Sequence, residues 1–320
     1  MPPRRGRGRS SRGRRGSGSR EERFPRLVGE GYARERAAES RAQRERRRED
    51  RYGSRRERSE TGPRVAAAIP AIAFAIAIVA LGGPWFAAGL FGLGVLAMHE
   101  LYGLMRRSRP IDLAGFLVLG ALLVAALVGG REAMLACLVA ALPVTFALAL
   151  ARRGRENVAW GIATTIFGIL WIGVALAHGV LLRELDHGGA LVADVMIGTF
   201  IGDTCAYFGG RAWGRRLLAP SISPNKTVEG LLAGVVGGTL AFWGFAVAYQ
   251  DFFAAGDALL IGLCVALASP LGDLFESLVK RDLEAKDTGR FFGAHGGVLD
   301  RLDGVLFSAV VGYYASLAVL

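Results

Sequence analysis

The composition of this chain is that of a membrane protein. It has 320 residues, 52% of them hydrophobic, and a formal net charge of +11 at pH 7. So high a hydrophobic fraction excludes an ordinary soluble domain. The charge is unevenly distributed, because residues 1–64 hold 22 of the 39 basic residues and 10 of the 28 acidic ones. The sequence therefore predicts a nearly neutral transmembrane domain at 63–320, preceded by a basic tail at 1–62.

The tail is dominated by Arg, Gly, Ser and Glu and has too few apolar residues to build a core. We expect it to be disordered, cytoplasmic and attracted to anionic lipid headgroups. Its opening segment, RRGRGRSSRGRRG, resembles arginine-glycine segments that bind RNA. The nucleic-acid interpretation is the weaker one, because neither interleaved aromatic residues nor a folded RNA-binding module accompanies the charge.

From Arg64 onward, long apolar stretches alternate with short polar breaks. Each stretch approaches or exceeds the length of about 20 residues that a helix needs to cross the hydrocarbon layer. The sequence therefore predicts an all-α polytopic membrane protein with about nine transmembrane helices. The predicted spans are approximately 64–82, 85–105, 113–129, 132–150, 158–181, 190–209, 228–249, 256–276 and 302–320.

The loops between these spans differ in charge. Basic residues follow the second, fourth, sixth and eighth spans, and the intervening loops carry few of them. By the positive-inside rule, the N-terminus and both large polar loops, 210–227 and 277–301, face the cytoplasm. We therefore expect a multi-pass protein of the plasma (inner) membrane. The richness in Arg, Gly and Ala indicates a bacterial genome.

Acidic residues gather at the end of the eighth span and the start of the ninth. On a helix, Asp273, Glu276 and Lys280 share one face, together with Ser277. Asp300 and Asp303 are likewise one helical turn apart. Carboxylates this close repel one another unless a cation neutralises them. The sequence therefore predicts a divalent metal with oxygen ligands, most simply Mg²⁺, and leaves a second cation open.

The loop between these spans supplies positive charge through Lys280, Arg281, Lys286 and Arg290. Basic residues beside a carboxylate-bound metal are typical of phosphoryl and nucleotidyl transfer sites. The turn His295-Gly296-Gly297 would let backbone N–H groups approach a phosphate. For His295 alone, a hydrogen bond within the turn is the simpler interpretation.

A second polar loop, SISPNKTVEG, covers Ser221–Gly230. Lys226 is a candidate phosphate ligand, and Thr227 can cap the next helix. For Thr227 and Glu229, a capping role alone is an equal alternative. Asp203 lies within the apolar sixth span, where an unpaired carboxylate is costly. We expect it either to join the site or to pair with an arginine such as Arg211.

These residues together resemble a known signature. The segment Glu276–Asp303 is similar to that of the phosphatidate cytidylyltransferase (CDP-diacylglycerol synthase) family. The matching residues are Ser277, Lys280-Arg281, Lys286-Asp287, His295-Gly296-Gly297 and Asp300-Arg301-Leu302-Asp303. A second match runs from Gly202-Asp203 through Ser223-Pro224 and Lys226-Thr227 to Glu229-Gly230. The chain departs from the family pattern at Gly293-Ala294, where Pro-Gly is common, and at Asn225, Val228 and Gly304.

The resemblance implies a transmembrane cytidylyltransferase domain that converts CTP and phosphatidate into CDP-diacylglycerol and pyrophosphate. It implies Asp273 and Asp300 as metal ligands, with Asp303, Glu276 and Asp287 assisting. It assigns Lys226, Lys280, Arg281, Lys286 and Arg301 to phosphates of CTP or of the lipid. Remaining members of the implied substrate site are Ser223, Thr227, Ser277, His295, Gly296, Gly297 and Asp203. A homodimer surrounded by membrane lipids is also implied.

Two alternatives remain at this stage. A related cytidylyltransferase could act on another lipid or on an isoprenoid phosphate. A transporter or channel with intramembrane acids would instead show substrate flux that does not depend on nucleotide. The phosphotransferases that consume CDP-diacylglycerol are disfavoured, because their DG-x2-AR motif does not occur in the sequence.

Overall fold

The computed structural model describes residues 70, 72–152, 154, 156–289 and 296–319. These residues all belong to one compact unit, Ala67–Leu320. The predictions for the tail at 1–62, for Arg290 and for His295 fall outside the described residues.

Helices form nearly all of the described structure. Seven of them are long and apolar enough to cross a membrane, and a shorter apolar helix precedes them. The predicted all-α polytopic membrane architecture is confirmed at this level. The helices are α1 Ile72–Leu81, α2 Gly83–Leu104, α3 Asp112–Leu150, α4 Val158–Arg183, α5 Gly188–Trp213, α6 Val228–Tyr249, α7 Ala255–Asp282 and α8 Leu299–Val319.

Helix α3 contains a reversal of the chain. Its 39 residues would extend about 58 Å if straight, roughly twice the hydrocarbon thickness. Gly130 interrupts the helix with φ 64° and ψ −154°. Arg152 lies just beyond the end of α3, and Arg109 and Pro110 lie just before the start of α3. The Arg152 guanidinium donates to the carbonyl oxygens of Arg109 and Pro110 at 3.0 and 2.6 Å. Helix α3 is therefore two antiparallel arms, which coincide with the predicted spans 113–129 and 132–150.

The chain also reverses between α1 and α2. Gly82 and Gly83 both have positive φ, 66° and 45°, which favours glycine at this turn. A Cβ atom on Gly89 would lie 2.8 Å from the side chain of Ile78, so the two helices pack closely. With α3 counted as two arms, the helices lie where the spans were predicted. The count of nine crossings stays a prediction, since part of the first span lies outside the described residues.

The predicted loop between α5 and α6 is partly folded. It forms a two-stranded antiparallel hairpin of β1, Leu217–Ala219, and β2, Ser223–Thr227. Leu217 pairs with Thr227, and Ala219 pairs with Ser223. The prediction of a plain loop was incomplete here, because these strands are too short and polar to give a recognisable alternation.

Glycines allow α5 and α6 to approach each other closely. A Cβ atom on Gly202 would lie 3.3 Å from the Gly234 carbonyl oxygen, and one on Gly238 would lie 2.7 Å from that of Gly198. Small residues one helical turn apart are a common basis of helix packing in membranes. This packing fixes the two helices that the β1–β2 hairpin connects.

An aromatic cluster joins α4, α7 and α8. Trp171 lies in a five-residue π-helical segment of α4 and packs edge-on against Phe275 of α7, with ring centroids 4.9 Å apart. Phe275 in turn contacts Phe307 of α8 at 5.6 Å. Edge-to-face aromatic pairs at these distances are stabilising. The cluster therefore packs against the part of α7 that carries Glu276, the residue after Phe275.

Candidate metal and phosphate site

Three carboxylates from two helices meet at one point. Asp273 and Glu276 lie one turn apart on α7, and Asp303 lies on the first turns of α8. One oxygen from each lies within 4.8 Å of the others. The helices come this close because Gly272 packs against the backbone carbonyl of Asp303, where a Cβ atom would collide. We call Asp273, Glu276 and Asp303 the carboxylate triad.

The triad can hold a metal ion. The side chain of Glu276 is only 1% exposed. Its Oε1 atom has no hydrogen-bond partner among the described residues. A buried carboxylate oxygen without a donor is costly unless a cation compensates it. Three carboxylates are also the donor set that a hard divalent cation prefers. Both observations fit a metal at the triad.

Lys280 links the triad to Asp300. Its ammonium lies 3.0 Å from Glu276 Oε2 and 2.9 Å from Asp300 Oδ1. Asp300 also accepts the backbone N–H of Thr288 at 3.0 Å and that of Gly297 at 2.7 Å. The described structure thus places Asp300 beside the triad, bound to donors of the protein. Its implied role as a metal ligand stays a prediction.

Gly296 and Gly297 shape the turn before α8. Gly296 has φ 84°, a conformation that favours glycine, and a Cβ atom there would lie 2.7 Å from Asp300 Oδ2. The Gly297 N–H, predicted to approach a phosphate, donates to Asp300. Contact of these residues with a substrate phosphate stays a prediction.

The β1–β2 hairpin forms a second wall of the site. Lys226 on β2 makes an ion pair with Asp273 of the triad. Arg281, near the end of α7, donates from Nε to the carbonyl of Ile222 at 3.1 Å. The two polar loops that the sequence singled out therefore meet in the structure.

Thr227 and Glu229 have structural roles at the start of α6. Thr227 is the N-cap, and its hydroxyl accepts the N–H of Gly230 at 3.1 Å, as predicted. Glu229 accepts the N–H groups of Arg215 and Arg216 at 3.0 and 3.2 Å. These bonds anchor the base of the hairpin, and with it Lys226.

Asp203 on α5 lies near the triad. Its Oδ1 accepts the hydroxyl of Ser269 at 3.2 Å, and it is within electrostatic range of Asp273, Asp303 and Lys226. Arg211, the alternative partner, donates to the Tyr207 hydroxyl at 3.3 Å. The geometry favours the alternative in which Asp203 joins the site.

The remaining predicted residues differ in their exposure. Arg281, Lys286, Asp287 and Arg301 are exposed, whereas Ser223 and Ser277 are half-buried. That the exposed basic residues contact phosphates stays a prediction.

Sequence reasoning missed Glu100 on α2, which contacts this region. Its Oε1 accepts the N–H of Val298 and its Oε2 accepts the N–H of Leu299, both at 3.0 Å. An acidic residue within an apolar span is the signal that had identified Asp203, and Glu100 gives the same signal within the span 85–105. Nothing in the sequence indicated a partner almost 200 residues away.

Comparison with known proteins decides the family. The family model described as "Cytidylyltransferase family" matches residues 63–319. The chain belongs to the cytidylyltransferase family. This confirms the resemblance drawn from the sequence motifs.

Several similar proteins carry the name phosphatidate cytidylyltransferase. One from Mycobacterium bovis is 36% identical over 155 residues, which is 48% of this chain and 49% of that protein. One from Bacillus subtilis is 37% identical over 139 residues, or 43% and 52% of the two chains. One from Aquifex aeolicus is 41% identical over 147 residues, or 46% and 54%. The matched part of this chain spans about half the length of these relatives.

Proposed function

We propose that this protein transfers CMP from CTP to phosphatidate, giving CDP-diacylglycerol and pyrophosphate for phospholipid biosynthesis. The observation that carries the proposal is the carboxylate triad with Lys226 and Lys280 bound at its edges. Membership of the cytidylyltransferase family and the names of the similar proteins support the same reaction.

The reaction is an in-line displacement at phosphorus. A phosphate oxygen of the lipid attacks the α-phosphorus of CTP, the new O–P bond forms, and the bond to the β-phosphate oxygen breaks to release pyrophosphate. A lipid phosphate is already ionised at neutral pH, so no serine or cysteine nucleophile is required. Catalysis of this kind depends on positioning and on neutralisation of charge.

Asp273, Glu276 and Asp303 would hold Mg²⁺, with Asp300 as the further ligand that the resemblance implies and Asp287 assisting. Bound there, the ion would neutralise charge on phosphate oxygens. Lys226 on the hairpin and Lys280 on α7 bring two ammonium groups to the triad, one at Asp273 and one at Glu276. We assign them, with Arg281, Lys286 and Arg301, to phosphates of CTP or of the lipid.

The remaining assignments follow the family motifs. The site for CTP and phosphatidate would be lined by Ser223, Thr227, Ser277, His295, Gly296, Gly297 and Asp203.

We further propose that the protein is a homodimer of the inner membrane of a bacterial cell and that its site faces the cytoplasm. Residues 1–62 would form a disordered tail. The positive-inside distribution of loop charges supports the orientation.

The test is an assay of the full-length protein purified in detergent with CTP, Mg²⁺ and phosphatidate. We expect CDP-diacylglycerol and pyrophosphate in equal amounts, and none when EDTA is present. Folded protein that makes no CDP-diacylglycerol refutes the proposal. Competition with other lipid and isoprenoid phosphates would show whether a different acceptor is preferred, and nucleotide-independent flux in liposomes would instead indicate a transporter.

The variant Asp300→Asn gives a sharper test of the site. An amide has one acceptor oxygen, so it cannot serve Lys280, Thr288 and Gly297 as the carboxylate does. We expect turnover to fall at least about 100-fold while expression and membrane insertion are unchanged, as losses of this size follow removal of charge from catalytic sites. Near-normal turnover would remove Asp300 from the active site.

A further inference from the structure

Glu100 belongs to α2 but binds the connection between α7 and α8 at two places. Its carboxylate accepts the N–H groups of Val298 and Leu299 at 3.0 Å each, where α8 begins. It also accepts the hydroxyl of Thr288 at 3.4 Å, earlier in that connection. A Cβ atom on Gly289 or Gly297 would collide with the Glu100 carboxylate, so the backbone of the connection packs directly on it at both places.

These contacts suit an ionised carboxylate. The first backbone N–H groups of a helix have no partner within the helix, and negative charge is favoured there. Hydrogen bonds from N–H to a carboxylate are also stronger than those between neutral groups. Glu100 therefore holds the start of α8 from outside that helix, through bonds that cannot form unless α2 and α8 are correctly placed.

The start of α8 carries the residues of the site. Asp300 follows Leu299 directly, and its carboxylate binds Thr288 and Gly297, next to the atoms that Glu100 binds. Asp303 lies one turn further and belongs to the carboxylate triad. A shift of the first turn of α8 would move Asp300 away from Lys280 and Asp303 away from Glu276.

We propose that Glu100 is a positioning residue of the active site. It fixes the beginning of α8, and through it Asp300 and Asp303, relative to Glu276 and Lys280 on α7. Its consequence for catalysis rests on the proposed function, whereas its effect on the start of α8 does not.

The test uses Glu100→Gln in the full-length protein. Glutamine has nearly the same shape but only one acceptor oxygen, so its NH₂ group faces one of the two backbone N–H groups. We expect hydrogen exchange at Val298 and Leu299 to accelerate at least about tenfold, because these amides lose their fixed acceptor. Unchanged exchange would overturn the proposal, whether or not the protein shows cytidylyltransferase activity.

The kinetic readout separates positioning from a loss of folded protein. Per folded molecule, we expect kcat to fall about 10- to 100-fold, as is typical when a partner that orients metal ligands is removed. The KM for CTP should stay within about threefold, and half-saturation should need more Mg²⁺. Unchanged kcat and unchanged Mg²⁺ dependence per folded molecule would contradict a positioning role.

Two further variants complete the experiment. Glu156→Gln is the matched control, because Glu156 is an exposed glutamate paired with Arg109 at the surface, and we expect neither exchange at α8 nor kcat to change. Thr288→Val removes only the hydroxyl donor to Glu100 and covers the case in which Glu100→Gln does not fold. We expect it to speed exchange at Val298 and Leu299 about threefold, a fraction of the effect of losing a Glu100 oxygen. No acceleration there would count against the proposal.

Discussion

Lys280 is a largely buried cation that pairs with two acidic residues of the site, Glu276 and Asp300. It is 16% exposed and lies between Glu276, 1% exposed, and Asp300, 11% exposed. Removing one partner from a buried ion pair leaves an uncompensated charge. With metal removed by EDTA, we predict that Lys280→Met lowers the free energy of unfolding by about 3 to 5 kcal/mol. Unfolding of the purified protein, followed by tryptophan fluorescence in detergent, measures the change.

The matched control is Arg109→Met, which breaks an ion pair at the surface. Arg109 is 56% exposed and its partner Glu156 is 77% exposed, with 2.8 Å between their charged atoms. Exposed pairs contribute about 0 to 1 kcal/mol, so this variant should unfold almost as the parent does. Equal losses in the two variants would show that Lys280 is not a buried counter-ion.

At the scale of single residues, the sequence predicted the side chains that share a helix face and missed Glu100, which joins α2 to the start of α8. Helical spacing placed Asp273, Glu276 and Lys280 on one face of α7, and the structure shows them together. Glu100 was missed because its partners follow it by 198 and 199 residues. Spacing in the sequence carries no information about such a contact. The triad therefore could be predicted in outline, but the bonds that hold α8 in place could not.

At the scale of elements, the glycine contact of α5 with α6 determines where the hairpin lies. A Cβ atom on Gly238 would be 2.7 Å from the Gly198 carbonyl oxygen, which is too close for the backbones to keep their positions. We predict that Gly238→Ala destabilises the protein by about 1 to 3 kcal/mol, the usual cost of overpacking. Turnover should also fall, because α6 and the adjoining Lys226 would shift relative to Asp273.

Gly244 on the same helix provides the control. A Cβ atom there would meet nothing within 4 Å, so Gly244→Ala creates no collision. Alanine is the better helix former by about 1 kcal/mol, and this variant should be as stable as the parent or slightly more so. Thermal unfolding in detergent compares the two variants, and equal behaviour would mean that α5 and α6 are not in close backbone contact.

Hydropathy predicted the elements themselves well, with one exception. The described helices fall on the predicted spans because apolar length is a strong signal in membrane proteins. Helix α7 continues through Lys280 and Arg281 to Asp282, beyond the predicted end at 276. The reversal inside α3 was predicted as the break between the spans 113–129 and 132–150, which contains Gly130 and Arg131. The β1–β2 hairpin was not predicted, because its register does not depend on an apolar pattern. It depends on hydrogen bonds such as the one from the Val228 N–H to the Arg216 carbonyl oxygen, at 2.9 Å.

For the whole molecule, the reversal at Gly130 makes a prediction about topology. If both arms of α3 cross the membrane, Glu132 lies on the opposite side from the β1–β2 hairpin and on the same side as Asp186 after α4. The basic loops predict that the hairpin faces the cytoplasm. Single cysteines can test this at exposed positions, once the native Cys137, Cys205 and Cys264 are replaced by serine.

We expect Glu132→Cys and Asp186→Cys to react with a membrane-impermeant maleimide in intact spheroplasts. Ser221→Cys, at the tip of the hairpin, should react only after the membrane is permeabilised. If Glu132→Cys and Ser221→Cys react from the same side, the arms of α3 do not cross the membrane. Reaction of Ser221→Cys in intact cells would reverse the orientation and place the carboxylate triad away from cytoplasmic CTP, which would contradict the proposed function.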